Sequence, residues 1–470
     1  MPISKTYNPK PAFSQLGAEF SDPVKPVEFT DITLRYFNQS AADDIGLGAL
    51  TAQEQMQYFA KFQPLPDNLP TPLALRYHGH QFRSYNPQLG DGRGFLFTQL
   101  SDNNNRLLDL GTKGTGPTPW SRGGDGRLTL KGACREILAT EMLEALGVNT
   151  SRTLCVFETD KQLWRNDEPS PARSAVLTRL SHTHIRFGTF QRLAHLGKAD
   201  EMHALLAHIG EHYMPTLQTI PQALRPAAFL EIVVEMSAKL AAQWMAAGFV
   251  HGVLNTDNMN INGESFDYGP WRFLPSYDPK FTAAYFDTHG LYAYGRQPEA
   301  VSWNLARLGE ALGTLAPIEE LQAAHRSFSA LWQIELPLAF LARLGLQPKE
   351  PAEDLEFIQI MFKTLGDTQL PFEGFLFDWF AVDEKRAMSR PNLTVYQSDD
   401  FKALRSLILT YQPDRPERLS HTYFARETPE TLLIDEVEAL WAPIAADDNW
   451  EAFHQKIAGI RQVKQALNFT

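Results

Sequence analysis

The spacing of apolar positions changes part-way along the chain. Residues 1–70 read as an irregular, proline-punctuated lead-in with one helix over 52–62. The segments 95–100 and 107–113, beside Gly-containing turns, and the segment 174–180 are short runs rich in apolar residues, which predicts strands. Between them Ile137, Leu138, Met142, Leu143 and Leu146 recur at helical spacing, and Gly147 is placed to cap that helix. From about residue 195 the helical period dominates, with helices predicted over 199–211, 226–248, 301–313, 318–343 and 429–441. The fold class expected is α+β. A lead-in over 1–70 precedes a strand-rich lobe over 71–195, a helical lobe over 196–345 and a helical extension over 346–470.

Composition narrows the class. With 470 residues, 43% of them hydrophobic and 21% charged, the chain can bury a large core. A net charge of −12 argues against a nucleic-acid partner, because such binding depends on Lys and Arg neutralising phosphates. Two cysteines, Cys134 and Cys155, make neither a disulfide framework nor a zinc cluster, and suit a reducing cytoplasm. The first twenty residues show no basic stretch followed by an apolar run, so no secretory signal is expected. The apolar stretch 229–250 contains Glu231, Glu235 and Lys239, which predicts a buried helix and no membrane partner.

Several motifs carry chemistry, each beside a plainer reading. Gly90-Asp91-Gly92-Arg93-Gly94 could let backbone N–H groups approach a phosphate, or be a tight turn. Seven of the fourteen residues from Gly114 to Arg127 are Gly or Pro, yet the loop also holds Trp120, Arg122 and Asp125. Arg179, His182, His184, Arg186 and Arg192 form a cationic run suited to phosphate, or a basic surface patch. The histidines at 182 and 184 lack the further ligands a metal would need. Asn258 and Asp267 offer oxygen donors of the kind Mg²⁺ prefers, or an ordinary polar loop with Asx turns.

His251-Gly252-Val253-Leu254-Asn255-Thr256-Asp257-Asn258, then Asp267-Tyr268-Gly269-Pro270, resembles a protein-kinase catalytic loop and metal motif. Lys113 and Glu136 match, in order, the lysine–glutamate pair of that fold, so a two-lobed kinase-like architecture is expected. The third position of the loop should be an aspartate accepting the substrate proton, and here it is Val253. Asp257 is the carboxylate left to act as base.

Longer motifs make a more specific match. Tyr77-His78-Gly79-His80-Gln81-Phe82, Pro87-Gln88-Leu89-Gly90-Asp91-Gly92-Arg93, Lys113-Gly114-Thr115-Gly116-Pro117, Asp125-Gly126-Arg127 and His184-Ile185-Arg186-Phe187-Gly188 resemble selenoprotein O, as do the 251–259 and 267–270 segments. The resemblance implies a pseudokinase fold that binds ATP flipped, so that AMP is transferred to Ser, Thr or Tyr hydroxyls of proteins, itself included, and pyrophosphate leaves. It implies Mg²⁺ or Mn²⁺, with UTP as an alternative donor. Gly90, Gly92, Arg93, Lys113, Asp125, Gly126, Arg179 and Arg186 match nucleotide-binding positions. Glu136 matches the partner of the lysine, Asp257 the proton acceptor, and Asn258 and Asp267 the metal ligands. The chain departs from the family at Trp271 and at its C-terminal residues 464–470, where a regulatory cysteine pair is absent, and at Arg83, where glycine is usual.

Overall fold

The computed structural model describes residues 3–166 and 168–469. The strands are β1 (Ser21–Pro23), β2 (Ile32–Phe37), β3 (Leu73–Leu75), β4 (Gly79–Gln81), β5 (Ser84–Asn86), β6 (Leu96–Ser101), β7 (Leu107–Lys113), β8 (Leu128–Thr129), β9 (Arg152–Leu163), β10 (Ala172–Ser181), β11 (Phe249–Val250) and β12 (Arg272–Phe273). The helices are α1 (Gln39–Asp44), α2 (Ala52–Phe59), α3 (Leu130–Ala145), α4 (Phe187–His195), α5 (Ala199–His212), α6 (Arg225–Ala246), α7 (Gln297–Leu312), α8 (Ile318–Leu344), α9 (Pro351–Thr368), α10 (Phe372–Asp378), α11 (Glu384–Ala387), α12 (Leu393–Tyr396), α13 (Asp399–Ile408), α14 (Ile434–Asp447) and α15 (Glu451–Leu467).

One antiparallel sheet runs in the order β1-β3-β6-β7-β10-β9-β2, with β8 pairing β10. Side chains alternate across a strand, so its two faces enter different cores. Cys155 and Phe157 of β9 join Phe97, Leu108 and Leu110 on the face covered by α1 and α2. Val156, between them, joins Leu177 and the apolar side of α3 on the other face. Strands β6 and β7 are buried along their whole length, their polar residues included.

The strands at 95–100, 107–113 and 174–180 and the helix before Gly147 form where the pattern puts them. The lead-in differs from expectation: β1 and β2 both join the main sheet, β2 pairing with β9. Its prolines lie outside Ile32–Phe37, so that strand keeps its ladder N–H groups. The helix expected over 52–62 stops at Phe59, because the chain turns through a left-handed Phe62 (φ 52°) that drives its ring onto Phe95 and Phe97. The helix expected over 429–441 spans Ile434–Asp447 instead, since the Glu436 carboxylate accepts the Leu433 N–H and fixes its start.

Helices dominate after residue 186, with α6 packed along α7 and α8. The chain then returns. Helix α15 lies on α3, where Arg461 pairs with Glu141 at 2.8 Å and Lys464 with Glu144 at 2.9 Å. The helix carrying Glu136 is thus held between the sheet and the C-terminal helix. Among the described residues, no helix is long and apolar enough to cross a membrane.

Candidate active site

Strand β7 ends at Lys113, which is buried. Its ammonium lies 2.6 Å from Glu136 on α3 and 2.7 Å from Asp267, so one cation ties the sheet, the helix and the loop after β11. Arg179 on β10 reaches Asp267 at 3.2 Å, and Arg186 at the start of α4 reaches it at 2.9 Å. Burial opposes ionisation of Asp267. Lys113, Arg179, Arg186 and Arg93 outweigh it and hold the carboxyl well below its usual range.

These groups face a cavity of about 550 Å³. Gly90, Gly92, Arg93, Lys113, Asp125, Gly126, Arg179, Arg186, Asp257, Asn258 and Asp267 all line it. Glu136 stands behind the wall, reaching the cavity through Lys113 at 2.6 Å and Arg179 at 3.6 Å. Seven Lys and Arg face four Asp there, a positive excess in a chain of net charge −12. Such a cavity suits a polyanion.

The glycine loops are shaped by contact rather than by hairpin geometry. A Cβ on Gly90 would lie 2.4 Å from the Trp120 ring, and one on Gly126 (φ 64°) would lie 2.0 Å from the Gly116 carbonyl oxygen. The two loops therefore close on each other. Asp125 is engaged by Arg165 at 2.8 Å, at the cavity rim.

The loop after β11 is pinned from both ends. His251 donates from Nε2 to the Phe266 carbonyl at 3.0 Å, just before Asp267 turns left-handed (φ 66°). Asn258 donates its amide N–H to the Val253 carbonyl at 3.0 Å, which leaves its Oδ1 free to accept. Asp257 is 8% exposed, and its Oδ1 has no partner among the described residues. Burial pushes its carboxyl up to about 6; Arg186 works against this and Asp267 adds to it. Val253 also lines the cavity. Among the described residues no group of three or more His, Cys, Asp or Glu is arranged to hold a metal, so any ion here would rest on Asn258, Asp267 and a ligand's own oxygens.

The contacts of other site residues emerge only in three dimensions. Asp109 accepts from the His184 backbone N–H at 2.7 Å and from its Nδ1 at 3.2 Å. That fixes the tautomer, so His184 Nε2 accepts from Arg179 Nε at 3.1 Å and aims the guanidinium at Asp267. A charged residue inside the apolar run Leu107-Leu108-Asp109-Leu110 was the available signal. Asp91, inside the glycine turn, accepts from Arg186 at 3.3 Å. Strand β4 lies over the loop: His80 N–H donates to Thr256 Oγ1 at 2.7 Å, and that hydroxyl donates to Gln191 at 2.8 Å.

Comparison with known proteins agrees over nearly the whole chain. Residues 3–461 match the family model described as "Protein adenylyltransferase SelO". A relative from Trichormus variabilis, named "Protein nucleotidyltransferase YdiU", is 40% identical over 97% of this chain and 96% of its own length. One of the same name from Synechococcus elongatus is 43% identical over 94% and 92%. Another, from Vibrio cholerae, is 36% identical over 79% and 75%. A cation-lined cavity and relatives matched end to end lead to one assignment: the chain belongs to the SelO family of protein nucleotidyltransferases.

Proposed function

We propose that the protein is a kinase-like adenylyltransferase that moves AMP from ATP to Ser, Thr or Tyr hydroxyls of proteins, with itself among the acceptors, in the cytoplasm. One observation carries this reading. Val253, which stands where the resemblance to a kinase loop would put the base, and Asp257 line the same cavity, and the Asp257 carboxyl is pushed up to about 6. A base of that strength is ionised at pH 7 yet accepts a proton readily.

In the proposed reaction the acceptor hydroxyl gives its proton to Asp257. Its oxygen bonds the α-phosphorus as the bond to the β-phosphate breaks, and pyrophosphate leaves. ATP lies flipped relative to kinases, so Lys113, Arg93 and the loop N–H groups at Gly90, Gly92 and Gly126 neutralise the leaving group. Arg179 and Arg186 hold the phosphates nearest Asp267. The free Oδ1 of Asn258 and the Asp267 carboxylate are hard oxygen donors that fit Mg²⁺, or Mn²⁺. Such an ion supplies charge neutralisation on phosphate oxygens when bound.

The test is transfer of radiolabel from ATP carrying label at either the α- or the γ-phosphate, with Asp267→Ala as control. Label from the α position alone, lost in the control, is expected. Label from the γ position alone would make this a phosphotransferase. Label from neither, with nucleotide still bound, would leave a nucleotide-sensing scaffold unless UTP with Mn²⁺ restores transfer.

A further inference from the structure

Next in sequence to Gln81, which lines the cavity, begins an exposed aromatic platform. Phe82, Tyr285 and Phe286 are 39%, 83% and 47% exposed. Their rings interlock, Phe82 on Phe286 at 5.9 Å and Phe286 on Tyr285 at 5.1 Å. The platform is tied to the loop of Asp257. The Phe82 N–H donates to Asn255 Oδ1 at 3.1 Å, and the Tyr292 hydroxyl donates to the same oxygen at 2.8 Å. The Phe82 ring packs on Tyr292 at 5.1 Å. Beside it lies a cavity of about 760 Å³ whose walls include Pro279, Ala284 and Ala293.

Phe82 and Arg83 both hold left-handed backbone (φ 48° and 66°), because they are the two central residues of the tight β4–β5 hairpin turn. That turn lifts the Phe82 ring out of β4 and into solvent. Contiguous exposed aromatics are uncommon except at binding surfaces. The chain's family acts on proteins, so an acceptor segment must approach Asp257 from outside. Gln81 lines the reactive cavity, and Phe82 is the next residue.

We propose that Phe82, Tyr285 and Phe286 select the acceptor segment. They take an aromatic or large aliphatic side chain of an extended substrate stretch while its hydroxyl sits at Asp257. This rests on the reading of Asp257 as the acceptor-side base. The structure sets the spacing. A Cβ on Gly79 would lie 3.0 Å from Asp257 Oδ1, and Phe82 follows three residues later, just past the end of β4 and in a left-handed turn. Three residues reach at most about 10 Å, so the platform stands no further than that from Gly79. The anchoring side chain therefore belongs within about three residues of the modified hydroxyl.

The test compares two short fluorescein-labelled peptides, alike except for Phe or Gly three residues from a single Ser. Binding is read by anisotropy with a non-hydrolysable ATP analogue and Mg²⁺, using wild type, Tyr285→Ser and Phe286→Ser. Wild type is expected to prefer the Phe peptide by ~10-fold, and each variant to cut that preference to ~2-fold with analogue affinity unchanged. Equal binding of both peptides by wild type, or an undiminished preference in both variants, overturns the proposal. So does sedimentation showing a wild-type dimer that Tyr285→Ser dissociates, because a second copy would then own the surface. The readout is binding, so absence of α-label transfer would defeat the proposed reaction while the peptide preference still decided the platform.

Discussion

Asp257→Asn should make the protein more stable while removing its activity. The Asp257 carboxyl is pushed from an ordinary 3.8 to about 6, mainly by burial. A folded-state pKa above the unfolded one means the folded chain holds its proton more tightly, so stability falls as pH rises through that window. Two pKa units at about 1.4 kcal/mol each put the cost of the ionised carboxylate near 3 kcal/mol at pH 7. The same linkage leaves roughly half of that at pH 5 and little at pH 4. The asparagine keeps the shape and cannot ionise, so its advantage over wild type should shrink by about 1 kcal/mol between pH 7 and pH 5. Other titrating groups cancel in that difference. The assay is guanidinium denaturation of both proteins at the two pH values, with α-label transfer measured at pH 7. A variant advantage that is constant or grows toward pH 5 would refute the reasoning, as would full activity in the variant.

Three further outcomes follow from the geometry. Lys113→Met removes the cation between Glu136 and Asp267, so nucleotide affinity should fall by ~10-fold or more and stability by about 3 kcal/mol, read by calorimetry and denaturation. Gly79→Ala places a methyl 3.0 Å from Asp257 Oδ1, so kcat should fall by ~10-fold or more while nucleotide affinity stays within ~2-fold. Cys134 and Cys155 are buried, and burial raises both thiols, so iodoacetamide should leave native activity unchanged, with mass spectrometry confirming unmodified thiols.

Much of the site could be read along the chain, for a reason that differs between its parts. Lys113 and Glu136 stand at the end of a strand and on the next long helix, and such local placement follows from apolar period alone. Asn258 and Asp267 sit in one short segment whose spacing is itself the signal. The contacts that Asp109, Gly111 and His184 make with one another left no comparable trace. A Cβ on Gly111 would lie 2.3 Å from His184 Nε2, a contact between β7 and the residues just beyond β10 that no local pattern encodes. Strand β9 went unseen because its polar end, Glu158 to Gln162, interrupts the apolar run. The β2 strand was hidden by the prolines around it.

The sequence by itself determined that a strand-rich part precedes a helical one, that an apolar Val253 stands between His251 and Asp257, and which residue types could hold phosphate. Those follow from side-chain chemistry and from periods of two and of about 3.6, which are properties of neighbouring residues. Only the tertiary structure decided that Lys113, Arg179 and Arg186 converge on Asp267. It alone set Asp257 in a buried place that shifts its carboxyl, and joined Phe82 to Phe286 across 204 positions of chain. Burial and charge pairing depend on which distant segments meet, and that meeting is fixed by the packing of the whole core.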